Sequence, residues 1–140
     1  MESTSADAEH TTGRCLCGAV RYEIEGRISP IFLCHCGKCR RATGSAFHAT
    51  SVCRTSQFRW LAGEEEIRRY EESPTYVVSF CGRCGSPVPS YHEGVGQIVL
   101  HAGALDGDPE RRVHHHIFVD SKAPWFEIHD DLPRFPGSPE

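Results

Sequence analysis

Seven of the eight cysteines fall into three tight groups, and this spacing constrains the fold of the 140-residue chain more than any other feature. The groups are a CxC pair at Cys15 and Cys17, a CxCxxC cluster at Cys34, Cys36 and Cys39, and a CxxC pair at Cys81 and Cys84. Disulfides between such close neighbours are strained, whereas close cysteines from separate loops are typical of tetrahedral zinc sites. The spacing therefore predicts metal binding.

The amino-terminal sequence favours the same interpretation. The stretch MESTSADAEHTTGR has neither the basic region nor the apolar region of a secretory signal. We therefore expect the protein in the reducing cytoplasm, where clustered cysteines bind metal more often than they form disulfides. A thioredoxin-like CxxC would open a helix within a βαβ pattern, and the sequence has no such pattern.

Seven clustered thiolates divide into four and three, because a structural zinc takes four ligands. Gly18 and Gly85 follow the two pairs and let the backbone turn so that its amides face the sulfurs. We predict a structural zinc on Cys15, Cys17, Cys81 and Cys84. Closing the loop between the pairs costs about 4 kcal/mol, and structural zinc supplies about 10–16 kcal/mol in small peptides. The fold is therefore expected to fail without this metal.

The remaining cluster, Cys34, Cys36 and Cys39, predicts a second zinc of a different kind. A zinc with three protein ligands keeps an open position, which is the mark of a catalytic site. Three thiolates make the zinc a poor activator of water, but they leave a good binding site for a soft fourth ligand. A substrate thiol bound there would be deprotonated yet still nucleophilic. The ligand set favours chemistry on a sulfur substrate over hydrolysis.

A histidine in the fourth position is the alternative, and it would close the second site into a structural Cys3His centre. His35 lies between two of the ligands and should point away from them in an extended segment. His48 and His101 stay open as candidates for the fourth ligand. In either case the sequence predicts two zinc ions per chain.

The hydrophobic pattern predicts an all-β domain. Val20, Tyr22 and Ile24 alternate with charged residues, which indicates a half-buried strand. Further strand candidates are 31–33, 46–53, 58–60, 76–80, 88–91, 97–101 and 116–119, at the spacing of an all-β fold. The segment 67–70 also has helix-favouring composition, and we favour a strand there. One helical turn is expected at 38–42, ending at Gly44.

The organisation and charge of the chain exclude several classes of protein. We expect a flexible tail at 1–12, one zinc-binding domain at 13–135 and a second tail at 136–140. The net charge of −4 argues against a nucleic-acid partner. No apolar run approaches the roughly 18–20 residues that span a bilayer, so we expect no membrane partner. The oligomeric state has no signal in the sequence.

Several other side chains have competing roles. Arg40 and Arg41 follow the three-cysteine cluster, where one could pair with a substrate carboxylate or both could be ordinary surface charges. Trp125 and Phe126 are expected to pack in the core rather than to line a pocket. Three consecutive strand residues, 114–116, alternate faces, so we expect His116 to be buried and hydrogen-bonded rather than part of a metal tract. Cys53 is expected to be a small buried residue.

The cysteine motifs resemble those of the glutathione-dependent formaldehyde-activating enzyme family, which also includes centromere-protein-V-like domains. The matching stretches are GRCLCGAVRYEI at 13–24, CHCGKCRRATGSAF at 34–47, FCGRCGSPV at 80–88, HAGALDGDP at 101–109 and HIFVDSKAPW at 116–125. The resemblance covers most of the chain from Gly13 to about Phe135. It implies small twisted β-sheets of the Mss4-like type with zinc knuckles, and the same division of the cysteines between a structural and a second zinc.

The resemblance also implies a reaction. In the type enzyme, glutathione adds to formaldehyde and gives S-hydroxymethylglutathione, which is a carbon–sulfur lyase reaction run in reverse. We therefore expect a zinc-dependent carbon–sulfur lyase or synthase that acts on a thiol–aldehyde adduct, with a small thiol such as glutathione as partner. His35, His48 or a water could serve as the general acid. The alternative is a zinc-stabilised binding module of Mss4-like fold without catalysis.

Overall fold

The computed structural model describes residues 9–92 and 94–139 and forms two compact units. The first unit comprises the chain up to Ser29 and Ser51–Arg111, and the second comprises Pro30–Thr50 and the chain from Arg112. The strands are β1 (His10–Arg14), β2 (Arg21–Glu25), β3 (Ile31–Cys34), β4 (His48–Arg54), β5 (Phe58–Ala62), β6 (Ile67–Ser73), β7 (Tyr76–Cys81), β8 (Ser90–His92), β9 (Gln97–His101) and β10 (Val113–Ile117). The helix α1 (Gly37–Thr43) and four short 3-10 turns complete the described elements.

These elements confirm the all-β prediction. The α-helical part of the described residues is the seven-residue α1, and the strands are short and arranged in small sheets. No helix in the described ranges has the length and apolar character needed to cross a membrane.

The first unit is built around an antiparallel sheet in the order β1-β2-β5. In the central strand β2, the predicted alternation places Tyr22 and Ile24 in the core, where both are fully buried. They pack in a cluster with Ile28, Cys53, Ile98 and Leu100. The rings of Phe58 and Trp60 on β5 also contact Tyr22, with centroids 5.6 and 6.0 Å from it. This core confirms the prediction that Cys53 is buried.

Strand β1 lies partly within the stretch 1–12 for which the sequence predicts a flexible tail. It begins at His10 and pairs with β2 along its whole length, and Thr11 is buried opposite Ile24. The segment HTTGR has no apolar alternation, so its pattern carries no strand signal. Pairing with a buried neighbour, rather than local pattern, makes it a strand. Residues 1–8 lie outside the described part of the chain.

Strands β6 and β7 form a two-stranded antiparallel ribbon in the same unit. The segment EEEIRRYEE has helix-favouring composition, but the structure confirms the strand. Tyr70 lies opposite Val78 and Arg68 opposite Phe80, so cross-strand pairing outweighs local helix propensity. A second hairpin joins β8 to β9, and β8 begins at Ser90 rather than at the predicted Val88.

In the second unit, β3 lies between two neighbours. It pairs in parallel with β10 and antiparallel with residues 48–50 of β4. Strand β10 ends at Ile117, two residues before the predicted end, because Phe118 adopts a left-handed conformation with φ of 56°. Directly after β3 comes α1, which ends as predicted at Gly44 with φ of 66°. The three-cysteine cluster spans this junction, from the last residue of β3 to the first turn of α1.

Candidate metal centres

The first candidate centre lies in the first unit, where the predicted set of four cysteines comes together. The sulfur atoms of Cys15, Cys17, Cys81 and Cys84 all lie within 4.8 Å of one another. Cys17 Sγ is 3.7 Å from Cys15 Sγ and 3.9 Å from Cys81 Sγ. A tetrahedral zinc with bonds of about 2.3 Å requires sulfurs about 3.8 Å apart. The donor set therefore fits a tetrahedral metal ion such as zinc.

Both pairs have the backbone geometry of metal knuckles. Gly18 and Gly85 take left-handed φ angles of 82° and 79°, and their amides close tight turns onto the carbonyls of Cys15 and Cys81. The Val20 amide then donates to Cys15 Sγ at 3.3 Å, and the Arg83 amide donates to Cys81 Sγ at the same distance. Such amide–sulfur hydrogen bonds stabilise thiolate ligands. The predicted role of the two glycines is confirmed.

Ser86 connects the two knuckles, and sequence reasoning missed it. Its Oγ accepts a hydrogen bond from the Leu16 amide at 3.0 Å and lies 3.3 Å from Cys84 Sγ. Hydrogen bonds from the side chain and backbone of Ser86 lower the pKa of Cys84 to about 5. Although burial opposes ionisation of Cys15, the Val20 amide and neighbouring thiols bring its pKa below the usual value. A backbone hydrogen bond from Ala19 favours ionisation of Cys17, but burial and the neighbouring thiols raise its pKa to about 11. Ionisation of all four thiols together would therefore require a bound cation.

The second candidate centre lies at the start of α1 in the second unit. Cys34 ends β3, Cys36 is the N-cap of α1 and Cys39 lies in its first turn. Their three sulfurs lie within 4.8 Å of one another, and the Cys39 amide donates to Cys36 Sγ at 3.3 Å. The neighbouring Cys39 thiol and burial strongly raise the pKa of Cys34. A cation is what would allow three crowded thiols to ionise together, so the donor set also fits a soft metal ion.

Among the described residues, no fourth thiol, imidazole or carboxylate joins this group of three sulfurs. His35 points away from the ligands, as predicted, and bonds to His116 instead. The His48 ring contacts Thr50, and the His101 ring lies 3.1 Å from the Val88 carbonyl. None of the three histidines considered from the sequence is grouped with the sulfurs.

A buried hydrogen-bonded array lies behind the second centre. His116 Nε2 is 3.0 and 3.2 Å from the two carboxylate oxygens of Asp130, and His116 Nδ1 is 2.9 Å from His35 Nε2. A carboxylate only accepts hydrogen bonds, so His116 Nε2 donates to Asp130 and His116 Nδ1 accepts from His35. Both rings are almost completely buried, which lowers the pKa of His35. The predicted buried, hydrogen-bonded His116 is confirmed.

Aromatic rings pack around His35, the residue between the first two ligands. The rings of Phe47 and Phe126 lie 5.6 and 6.1 Å from it, centroid to centroid. Phe126 packs as predicted, but the prediction for Trp125 is wrong, because its side chain is 70% exposed. Phe126 packs against Phe47, with ring centroids 5.6 Å apart, while the neighbouring Trp125 lies on the surface.

The comparisons with known proteins identify a family. Residues 10–121 match the family of the glutathione-dependent formaldehyde-activating enzyme. A Halomonas elongata protein named "Putative glutathione-dependent formaldehyde-activating enzyme" is 29% identical over 83% of this chain and 79% of its own length. A Colletotrichum graminicola protein with the same name is 28% identical over 59% of this chain and 45% of its own length.

A solved structure agrees with the fold. A crystal structure of a Rhodobacter sphaeroides protein superimposes with a TM-score of 0.56 and 27% sequence identity, over 73% of this chain and 98% of the other. The family match spans both cysteine-rich centres and most of the described strands. The chain therefore belongs to the glutathione-dependent formaldehyde-activating enzyme family.

Proposed function

We propose that this protein is a zinc-dependent enzyme that forms or breaks the carbon–sulfur bond of a thiol–aldehyde adduct. The group of three sulfurs on Cys34, Cys36 and Cys39, without a fourth protein donor among the described residues, carries this proposal. Such a ligand set leaves room for a substrate sulfur. The names of the relatives support glutathione as the thiol and formaldehyde as the aldehyde.

The reaction balances without an oxidant or reductant. A thiol loses its proton, its sulfur bonds to the carbonyl carbon, and the carbonyl oxygen takes up a proton; the lyase direction reverses each step. Zinc bound to the three thiolates would lower the pKa of the incoming thiol and hold its sulfur as a nucleophile.

The residues of the chain give this centre its shape. The Cys39 amide bonds to Cys36 Sγ and holds the turn between these ligands. Asp130 orients His116, and His116 holds the ring of His35, the residue that lies between the ligands Cys34 and Cys36 in the chain. We infer that this array positions the ligand loop rather than taking part in proton transfer to substrate, because His35 is fully buried. Preorganised ligands of this kind hold a metal centre in its reactive geometry.

The first centre has a structural role in this proposal. Four sulfur donors leave no position for substrate on a tetrahedral zinc. The site joins the loop after β1 to the turn after β7, which are 64 residues apart at Cys17 and Cys81. A reducing cytoplasm would keep all eight cysteines as the free thiols that the structure contains.

A mutant assay tests the function. Purified protein with bound zinc is mixed with glutathione and formaldehyde, and the rate of S-hydroxymethylglutathione formation is followed by exchange NMR. We expect Cys36→Ser to remain folded by circular dichroism and to lose this activity. The control Cys53→Ala removes a cysteine outside both centres and should retain the activity if it stays folded. Wild-type protein that binds two zinc ions yet leaves the uncatalysed rate unchanged would instead support the non-catalytic binding module.

A further inference from the structure

We propose that Arg40 is the specificity residue of the three-cysteine centre and recognises a carboxylate on the thiol substrate. This inference rests on the proposed function. Its starting observation is the Nε atom of Arg40, which is buried from solvent and has no hydrogen-bond partner among the described residues. Buried polar groups are normally paired, and an unpaired donor on a charged group is costly. No described residue therefore satisfies this donor, and the half-buried Arg40 leaves the outer part of its guanidinium as the group that a ligand would reach.

The position of Arg40 connects it to the ligand turn. It follows Cys39 in α1, and its amide donates to the Cys36 carbonyl at 2.9 Å. Side chains on a helix lean toward its N-terminus, so the guanidinium extends back over the preceding turn. The distances agree, because a Cβ atom at Gly37 would lie 3.9 Å from Arg40 Nη2. The guanidinium thus lies beside the turn that joins Cys36 to Cys39.

The chemistry of this group selects an anion with two oxygens. Arginine stays charged at every physiological pH and presents donors in a planar fork that matches a carboxylate. The first turn of α1 contains no acidic residue that could occupy this fork. A thiol whose sulfur enters the three-cysteine centre would bring a carboxylate a few bonds away toward Arg40. The favoured substrates are therefore small carboxylated thiols, and uncharged thiols should bind more weakly.

A competing role for Arg40 is to offset the charge of three thiolates without touching substrate. In that case, replacing Arg40 would weaken the binding of every thiol by the same factor, whether or not the thiol carries a carboxylate. Arg41 is the matched control, because it is the next residue on the same helix and its side chain is exposed. A long-range charge effect would respond to both arginines, whereas direct recognition depends on Arg40 alone.

The experiment compares two thiols that share an acetamide and differ in one carboxylate, N-acetylcysteine and N-acetylcysteamine. Their Kd values are measured by calorimetry on full-length protein carrying its bound zinc, as wild type, Arg40→Ala, Arg40→Lys and Arg41→Ala. We expect wild type and Arg41→Ala to prefer N-acetylcysteine by about tenfold or more, since charge-assisted bidentate contacts are strong. Arg40→Ala should lose this preference, and Arg40→Lys should recover part of it. Circular dichroism and zinc content confirm that each variant is intact.

Two results would overturn the inference, and they differ in their consequences. In the first result, Arg40→Ala weakens the binding of both thiols by an equal factor, or the wild type shows no preference for N-acetylcysteine. Arg40 then does not recognise a carboxylate, while the proposed function stands. If neither thiol binds to the wild-type protein with both metals present, the open position itself is wrong. The proposed function and the role of Arg40 then fall together.

Discussion

The positions of some residues around the second centre can be predicted from the local sequence pattern. Other residues come close to the centre only because of the tertiary fold, and the local pattern does not predict them. The alternation of an extended chain predicts that His35 points away from Cys34 and Cys36, and the structure agrees. Asp130 has no such signal, because it lies 14 residues after His116 in a segment without strands. Ser86 was likewise missed, although its place directly after CxxCG is a local signal.

The Asp130 carboxylate should determine the tautomer of His116. In the wild type we expect the proton on His116 Nε2, because Asp130 accepts from this atom. Replacing Asp130 with Ala removes that acceptor, so a population with the proton on Nδ1 should appear. Nitrogen-15 NMR of the imidazole rings distinguishes the two forms. The account of the array is wrong if the wild-type ring already carries its proton on Nδ1.

The ion pair at the edge of the first sheet should give stability a pH dependence. A hydrogen bond to Glu23 raises the pKa of His10 above 6.5, and hydrogen bonds from His10 and Arg59 lower the pKa of Glu23 below 4.5. The His10 contribution is therefore complete below its unfolded pKa and is lost as pH rises through the higher folded pKa. The Glu23 contribution is present above its unfolded pKa and is lost as pH falls.

The measurement is the Tm of wild type and His10→Ala across pH. We expect the difference in Tm to be largest between pH 4.5 and 6.5, the two unfolded pKa values, and to shrink on both sides. Zinc loss at low pH affects both proteins and cancels in the difference. A difference that grows above pH 8 would contradict the assignment of this pair.

At the scale of elements, strands with buried alternation were predictable and strands that depend on a partner were not. β2 has the pattern of one buried face, and its Tyr22 and Ile24 are fully buried. β1 has no such pattern, and it forms a strand because all five of its residues pair with β2. The ends of β8 and β10 differ from prediction for a similar reason, since turn geometry such as the left-handed Phe118 is set by the surrounding chain.

The contact between β1 and β2 requires glycine at position 13. A Cβ atom there would lie 2.5 Å from the ring of Tyr22, which is fully buried and cannot move aside. We expect Gly13→Ala to lower the free energy of unfolding by about 1–3 kcal/mol through overpacking. Gly103→Ala is the control, because a Cβ at Gly103 has nothing within 4 Å. Chemical denaturation checks both, and equal stability of the two variants would contradict this packing.

For the whole molecule, the division of the cysteines was the strongest result available from sequence. Tetrahedral coordination needs four donors, and the two pairs that end in glycine form the set of four that the structure brings together. The sequence left His48 and His101 open as a fourth ligand at the other centre, because the position of a histidine relative to the three cysteines depends on strand pairing, such as the pairing that places His48 opposite Cys34. Long-range partners of this kind carry no local signal.

Loss of the four-cysteine centre should unfold the protein, whereas loss of the other should not. Cys84→Ser removes a ligand that helps to close a loop of 64 residues, measured between Cys17 and Cys81. Closing that loop costs about 4 kcal/mol, which no bound metal would then offset. We expect Cys84→Ser to lose its circular dichroism transition and Cys36→Ser to keep it. If both variants unfold alike, the second centre is structural.

The open coordination position is tested most directly by cadmium-113 NMR. The protein is loaded with two cadmium ions per chain and titrated with glutathione. We predict two resonances, of which only one moves on addition of glutathione, and that resonance should be missing from Cys36→Ser. Two resonances that both stay fixed at saturating glutathione would contradict the central claim, because they would mean that protein ligands already complete both metal shells.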